Sequence, residues 1–148
     1  MLGFDRVHSA QTQVRLIGER MVRLVTIPLY ALLKIVAYSD RRDARDPAGV
    51  LHCLLFYEED SDRLYGVEHD GALIDFDLAA AYLLGVDGRP LIDAPLAQVI
   101  KPILAELSDP ESSLGFQTIH EYRGGSFSDR WRLHTARLFR AYEDGLRI

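Results

Sequence analysis

Residues 22–57, VRLVTIPLYALLKIVAYSDRRDARDPAGVLHCLLFY, decide how the chain folds, and their pattern predicts strand, helix, charged loop, helix. Pro28 suits the first turn of a helix, where its missing N–H is not needed, and Thr26 is close enough to help cap it. Leu29, Leu32, Leu33 and Val36 recur at i, i+3, i+4 and i+7, which defines a buried face. Tyr30, Lys34 and Tyr38 fall on another face. Periodicity alone reads Lys34 as a lysine snorkelling from the edge of the core. Residues 39–45 are too charged to bury and are expected to form a loop. Asp46-Pro47 then reads as N-cap and first residue of a second helix, 47–57, apolar nearly all round and therefore central. His52 has no second histidine or carboxylate at metal spacing, so it is expected to be a hydrogen-bonded core histidine.

Towards the N-terminus, residues 3–10 suggest one helical turn. Val14 and Leu16 alternate with polar neighbours, which predicts a strand at 12–16; a hairpin loop at 17–20 leads to a second strand at 21–26. Beyond Tyr57, the acidic turn 58–62 lacks the ligand spacing of a calcium loop. Asp75 or Asp77 is expected to cap a helix through Leu84 that stops at Gly85, followed by a turn at 87–90. Asp93 precedes a helix over 96–107 in which Pro102 should produce a kink or a break. Residues 108–125 are expected to be loop with at most a short helix near 114–122. Ser126 to Asp129 resembles a capping box for a last, basic amphipathic helix, 128–143, ended by Gly145. The fold class is α+β, predominantly helical: a short antiparallel β-hairpin near the N-terminus packed against a bundle of about five helices.

The 148 residues fit one domain over 1–148, divided into 1–27, a helical core at 28–107, and a loop with the C-terminal helix at 108–148. The formal charge of -5 gives no global case for binding DNA. Cys53, the single cysteine, excludes an intramolecular disulfide and a thiolate cluster, and suggests a reducing, cytoplasmic home. No secretory signal or membrane-length apolar run is evident. Phosphate-loop, dinucleotide-binding, HExxH and GxSxG motifs are not found.

The central stretch IPLYALLKIVAYSDRRDARDPAGVLHCLLFY resembles a segment of the AbiEii-like nucleotidyltransferases, which belong to the DNA polymerase β-like superfamily and include toxins of toxin–antitoxin systems. There the segment runs LP-x-x-x-LLKL-x-AW-x-DR, a gap, then KD-x-x-DL-x-x-LL-x-x-Y. MLGFDRVHSAQTQVRL looks like the family's lead-in, and FDLAAAYLLGVDGRPL like a later A-x-LLGRD segment, so the resemblance covers roughly residues 1–90. It implies nucleotidyl transfer from a nucleoside triphosphate with two Mg²⁺ ions, onto a tRNA end or a protein hydroxyl. By resemblance Lys34, Arg41, Arg45 and Asp46 would lie at the nucleotide, with Asp46 a vestigial catalytic carboxylate. The second aspartate of KD-x-x-DL falls on Gly49.

The family's metal-binding motif, GS-x(n)-D-x-D, has no match in these residues. The expectation is therefore a truncated nucleotidyltransferase-like chain, with residues 1–27 a remnant of its sheet. Such a chain would be inactive by itself, without a cofactor of its own, and would use Mg²⁺ and nucleoside triphosphate only when complemented. The alternatives are a noncatalytic homodimeric interaction module, related to toxin–antitoxin systems, that dimerises or binds a partner through an exposed strand edge, and an RNA-binding accessory protein using Arg41, Arg42, Arg45 and the C-terminal arginines. Nucleotide or tRNA is the expected partner; DNA and membrane are not.

Overall fold

The computed structural model describes residues 11–15, 21–58, 61–125 and 127–148. The expected helical turn at 3–10 and hairpin loop at 17–20 lie outside them. Strands β1 (Gln11–Arg15) and β2 (Met21–Val25) pair antiparallel, with Gln11 opposite Val25 and Arg15 opposite Met21. Thr26 leads into α1 (Ile27–Arg41) and provides its first acceptor: the Thr26 carbonyl takes the Tyr30 amide at 2.9 Å, while its hydroxyl makes no capping bond. Helices α2 (Arg45–Phe56), α3 (Phe76–Gly88), α4 (Ala94–Leu107), α5 (Ser113–Arg123) and α6 (Asp129–Leu146) follow. The chain is thus α+β and mostly helical, with six α-helices among the described residues. A second hairpin, β3 (Glu68–His69) with β4 (Ala72–Leu73), turns through Asp70 and Gly71, both at positive φ.

One cluster of buried side chains runs from Ala31 to Leu146. Leu29, Leu32 and Val36 are buried as their spacing predicts, joined by Ala31 and Ile35; Leu33 is only half-buried. From α6, Leu138, Phe139, Tyr142 and Leu146 enter the same core, so the C-terminal helix belongs to its centre. On β2, Met21 and Leu24 stand 57% and 50% exposed, on opposite faces of the strand.

Several local expectations are corrected. Gly85 and Gly145 do not stop helices: α3 continues to Gly88 and α6 to Leu146, and the two glycines are where these helices meet. The turn at 87–90 is the last turn of α3 followed by a 3₁₀ turn, Arg89–Leu91. Pro102 does not divide α4, which runs unbroken through it; the carbonyl deprived of its partner belongs to exposed Gln98, where water can serve it. Asp93 does cap α4, accepting the Leu96 amide at 2.9 Å. Ser112 likewise caps α5 through the Gly115 amide. Ser128 precedes α6 with no side-chain cap bond, and Ser126 lies outside the described residues. His52 is exposed, not a core residue, and packs its ring beside Phe56 and Tyr122.

Among the described residues, no helix is long and apolar enough to cross a membrane.

Candidate functional site

The charged stretch after α1 is shorter than its composition suggests. Helix α1 extends through Ser39 and Asp40 to Arg41, and Arg42 closes it in the left-handed conformation at φ 55°, its guanidinium over the Tyr38 ring. Only Arg42, Asp43 and Ala44 separate α1 from α2. This tight connection makes the two helices neighbours and faces the end of one towards the start of the other.

Asp46 is therefore not the N-cap of α2. It lies inside the first turn, with Ala44 at the cap, and is fully buried. The orphan amide at the helix start is taken by Asp43 instead, whose carboxylate accepts from the Arg45 N–H at 3.0 Å. The Asp46 carboxylate turns towards α1. Lys34 Nζ donates to Oδ1 at 3.0 Å, and Arg41 grips both oxygens, Nε to Oδ2 at 2.7 Å and Nη2 to Oδ1 at 2.5 Å. Two-pronged binding of this kind fixes a guanidinium in direction as well as position. Burial pushes the Asp46 carboxyl up, but the hydrogen bonds and charges of Arg41 and Lys34 outweigh it and hold the group below the ordinary carboxylate range. The same contacts raise Arg41.

The structure thus brings together Lys34, Arg41 and Asp46 and leaves Arg45 apart. Arg45 forks onto Asp43, with Nη2 to Oδ2 at 2.6 Å, and its hydrogen bonds pull the Asp43 carboxyl down to about 2. The Lys34 side chain is 27% exposed and that of Arg41 58%, so both cations reach solvent while their shared counter-ion does not. Summed over the three groups, the charge is one positive.

Gly49 has a packing reason of its own. A Cβ there would stand 3.1 Å from the Tyr30 hydroxyl and 3.7 Å from Lys34 Cε, so the missing side chain lets Tyr30 and Lys34 lie against α2. Lys34 Nζ also sits 5.7 Å from the centre of the Tyr30 ring. An aspartate at position 49 would press on both.

Asp46 is poorly suited to hold a metal, because both its oxygens are engaged by cations and closed off from solvent. Among the described residues, no group of three or more His, Cys, Asp or Glu side chains is placed to hold a metal ion. The C-terminal arginines are partly neutralised, Arg132 by Glu111, Arg137 by Asp75 and Arg140 by Glu143.

Residue spacing gave no sign of a second polar cluster. Asp87, in the last turn of α3, accepts from the Tyr57 hydroxyl at 2.6 Å and from Arg63 Nη2 at 2.9 Å. The three groups come from separate elements, and only the adjacency of α2, the 3₁₀ turn Asp62–Leu64 and α3 reveals them. No protein-family model matches this chain, and no match was found among curated proteins or solved structures.

Proposed function

We propose that the chain is nucleotidyltransferase-like and binds the phosphates of a nucleoside triphosphate at Lys34 and Arg41, without transferring the nucleotidyl group by itself. The observation that carries this reading is the convergence of both cations on one buried carboxylate. Asp46 acts as an internal counter-ion that holds Lys34 and Arg41 in place. Their remaining N–H groups, which Asp46 does not use, are directed to an incoming anion. An ammonium and a guanidinium side by side suit a polyphosphate, the first as a point charge and the second as a fork. Arg45, occupied by Asp43, is assigned at most a long-range electrostatic part. In the resembled family the metals that drive transfer are held by carboxylates, and Asp46 is committed to its two cations, so binding without transfer is the proposed activity.

Calorimetric titration with Mg·ATP and Mg·GTP tests this. Saturable, salt-sensitive binding is expected, weakened about tenfold or more by Lys34→Ala or Arg41→Gln, as loss of a hydrogen bond to a charged group implies. Absence of saturable binding, or binding that neither substitution alters, overturns it.

A second reading rests on β2. Met21 and Leu24 are exposed on a strand of a two-stranded sheet, which favours association of two copies through this edge. Sedimentation then shows a dimer that Leu24→Lys dissociates; a monomer at all concentrations removes this reading.

A further inference from the structure

Between the β3–β4 hairpin, α3 and α6 lies a cavity of about 520 Å³, remote in sequence from Lys34 and Asp46. Its size falls within the ordinary range for small-molecule sites. The walls are mostly apolar, from Leu73, Ile74, Leu78, Leu133 and Ala136. Leu73 and Leu133 are 72% and 54% exposed and leave apolar surface in water that an apolar body in the cavity would cover. His69 is fixed in the wall by its Nδ1, 3.1 Å from the Tyr82 hydroxyl.

The polar groups are few and come in opposite signs. Arg140 and Asp144 lie four residues apart on α6, hence side by side on one face, and both line the cavity. Arg140 places only Nη1 on Glu143, at 3.2 Å, and keeps its other N–H groups. Asp144 is half-buried, and among the described residues its carboxylate has neither an ion pair nor a hydrogen bond. The Ser108 hydroxyl, also in the lining, is shielded from solvent and has no hydrogen-bond partner. Shielded polar groups are ordinarily paired, so the Ser108 hydroxyl marks a place for a polar atom of a ligand, while the Asp144 carboxylate, which reaches solvent, is free to take a cationic one. Arg137 and Asp75 at the rim pair with one another and add no net charge. A simple anion would meet Asp144 and a simple cation would meet Arg140. Only a ligand with both charges satisfies both.

We propose that this cavity binds an apolar α-amino acid as its zwitterion, with the ammonium at Asp144, the carboxylate at Arg140 and the side chain against Leu73, Leu78 and Leu133.

The test is calorimetric titration of the full chain with L-phenylalanine, 3-phenylpropionate and 2-phenylethylamine, which share one apolar body and carry both charges, the negative one, or the positive one. The series L-leucine, 4-methylpentanoate and 3-methylbutylamine is run in parallel. In at least one series the amino acid is expected to bind tenfold or more tightly than either analogue. Asp144→Asn should reduce its affinity to that of the acid, and Arg140→Gln to that of the amine. Failure of both amino acids to bind at millimolar concentration overturns the proposal, as does equal affinity within both series or indifference to both α6 substitutions. Circular dichroism of the unliganded variants checks their fold; should either be unfolded, the three-ligand comparison on the unmodified chain still decides.

Discussion

Gly85 of α3 and Gly145 of α6 meet backbone to backbone. A Cβ on Gly85 would stand 2.8 Å from Gly145 Cα, and one on Gly145 would stand 2.9 Å from Gly85 Cα; each would also strike a carbonyl oxygen of the other helix, that of Tyr142 or Tyr82. Backbone cannot swing aside as a side chain can. Alanine at either position is expected to cost about 3 kcal/mol or more, the upper end for overpacking. The double variant should lose less than the sum, since one separation of the helices relieves both clashes. Urea denaturation measures this, and a midpoint unchanged by either alanine would refute the contact.

Asp46→Asn removes the counter-ion shared by Lys34 and Arg41. Because both cations can turn to solvent, the expected loss at neutral pH is about 2 kcal/mol, below the range for a stranded buried charge. The folded Asp46 carboxyl lies below its unfolded value of 3.8, so its contribution is complete above that value and fades as pH falls through the folded one. The gap between unmodified chain and variant should therefore close under acid conditions. Denaturation midpoints from pH 7 down to pH 2 check the sign.

Glu143 should behave in the opposite way. It is buried on α6, and burial raises its carboxyl above the ordinary value of 4.5, with Arg140 opposing and Asp144 reinforcing the rise. A raised acid weakens the fold while charged, from neutral pH down to the ordinary carboxylate range, and the penalty disappears below it. Glu143→Gln is expected to raise the thermal midpoint at pH 7 and to have lost that advantage by about pH 4. A lower midpoint at pH 7 would show that the Arg140 contact outweighs burial.

Tyr57→Phe tests the Asp87 cluster. Burial raises the Asp87 carboxyl, and the bonds from Arg63 and Tyr57 more than offset this, so the folded group stays charged to lower pH than the free one. Losing the hydroxyl should cost about 1.5–2 kcal/mol in chemical denaturation, the lower part of the range for a bond to a charged acceptor. No change would mean that water replaces it fully.

The first two helices were legible because burial repeats along them: Leu29, Leu32 and Val36 announce α1, and Pro28 marks its first turn. Asp46 misled because an aspartate before proline looks like a cap wherever it stands, and its burial depends on Lys34 and Arg41 from the preceding helix. Gly85 and Gly145 misled for a related reason. Local sequence does not distinguish a glycine that ends a helix from one that admits another backbone. Strands β3 and β4, two residues each, are too short to show alternation, so the hairpin that walls the cavity left no periodic trace.

The crossing of α3 and α6 also orders events in time. Arg89 reaches across it, donating to the Gly145 carbonyl from Nε at 3.1 Å and Nη2 at 2.7 Å, over a sequence separation of 56 residues. The Lys34–Asp46–Arg41 cluster spans at most 12. Short loops close sooner than long ones, so the α1–α2 pair can assemble while α3 still shows Tyr82 and Gly85 to solvent. During synthesis that face stays bare until residue 146 emerges, a period in which the half-made chain is open to chaperones and to aggregation.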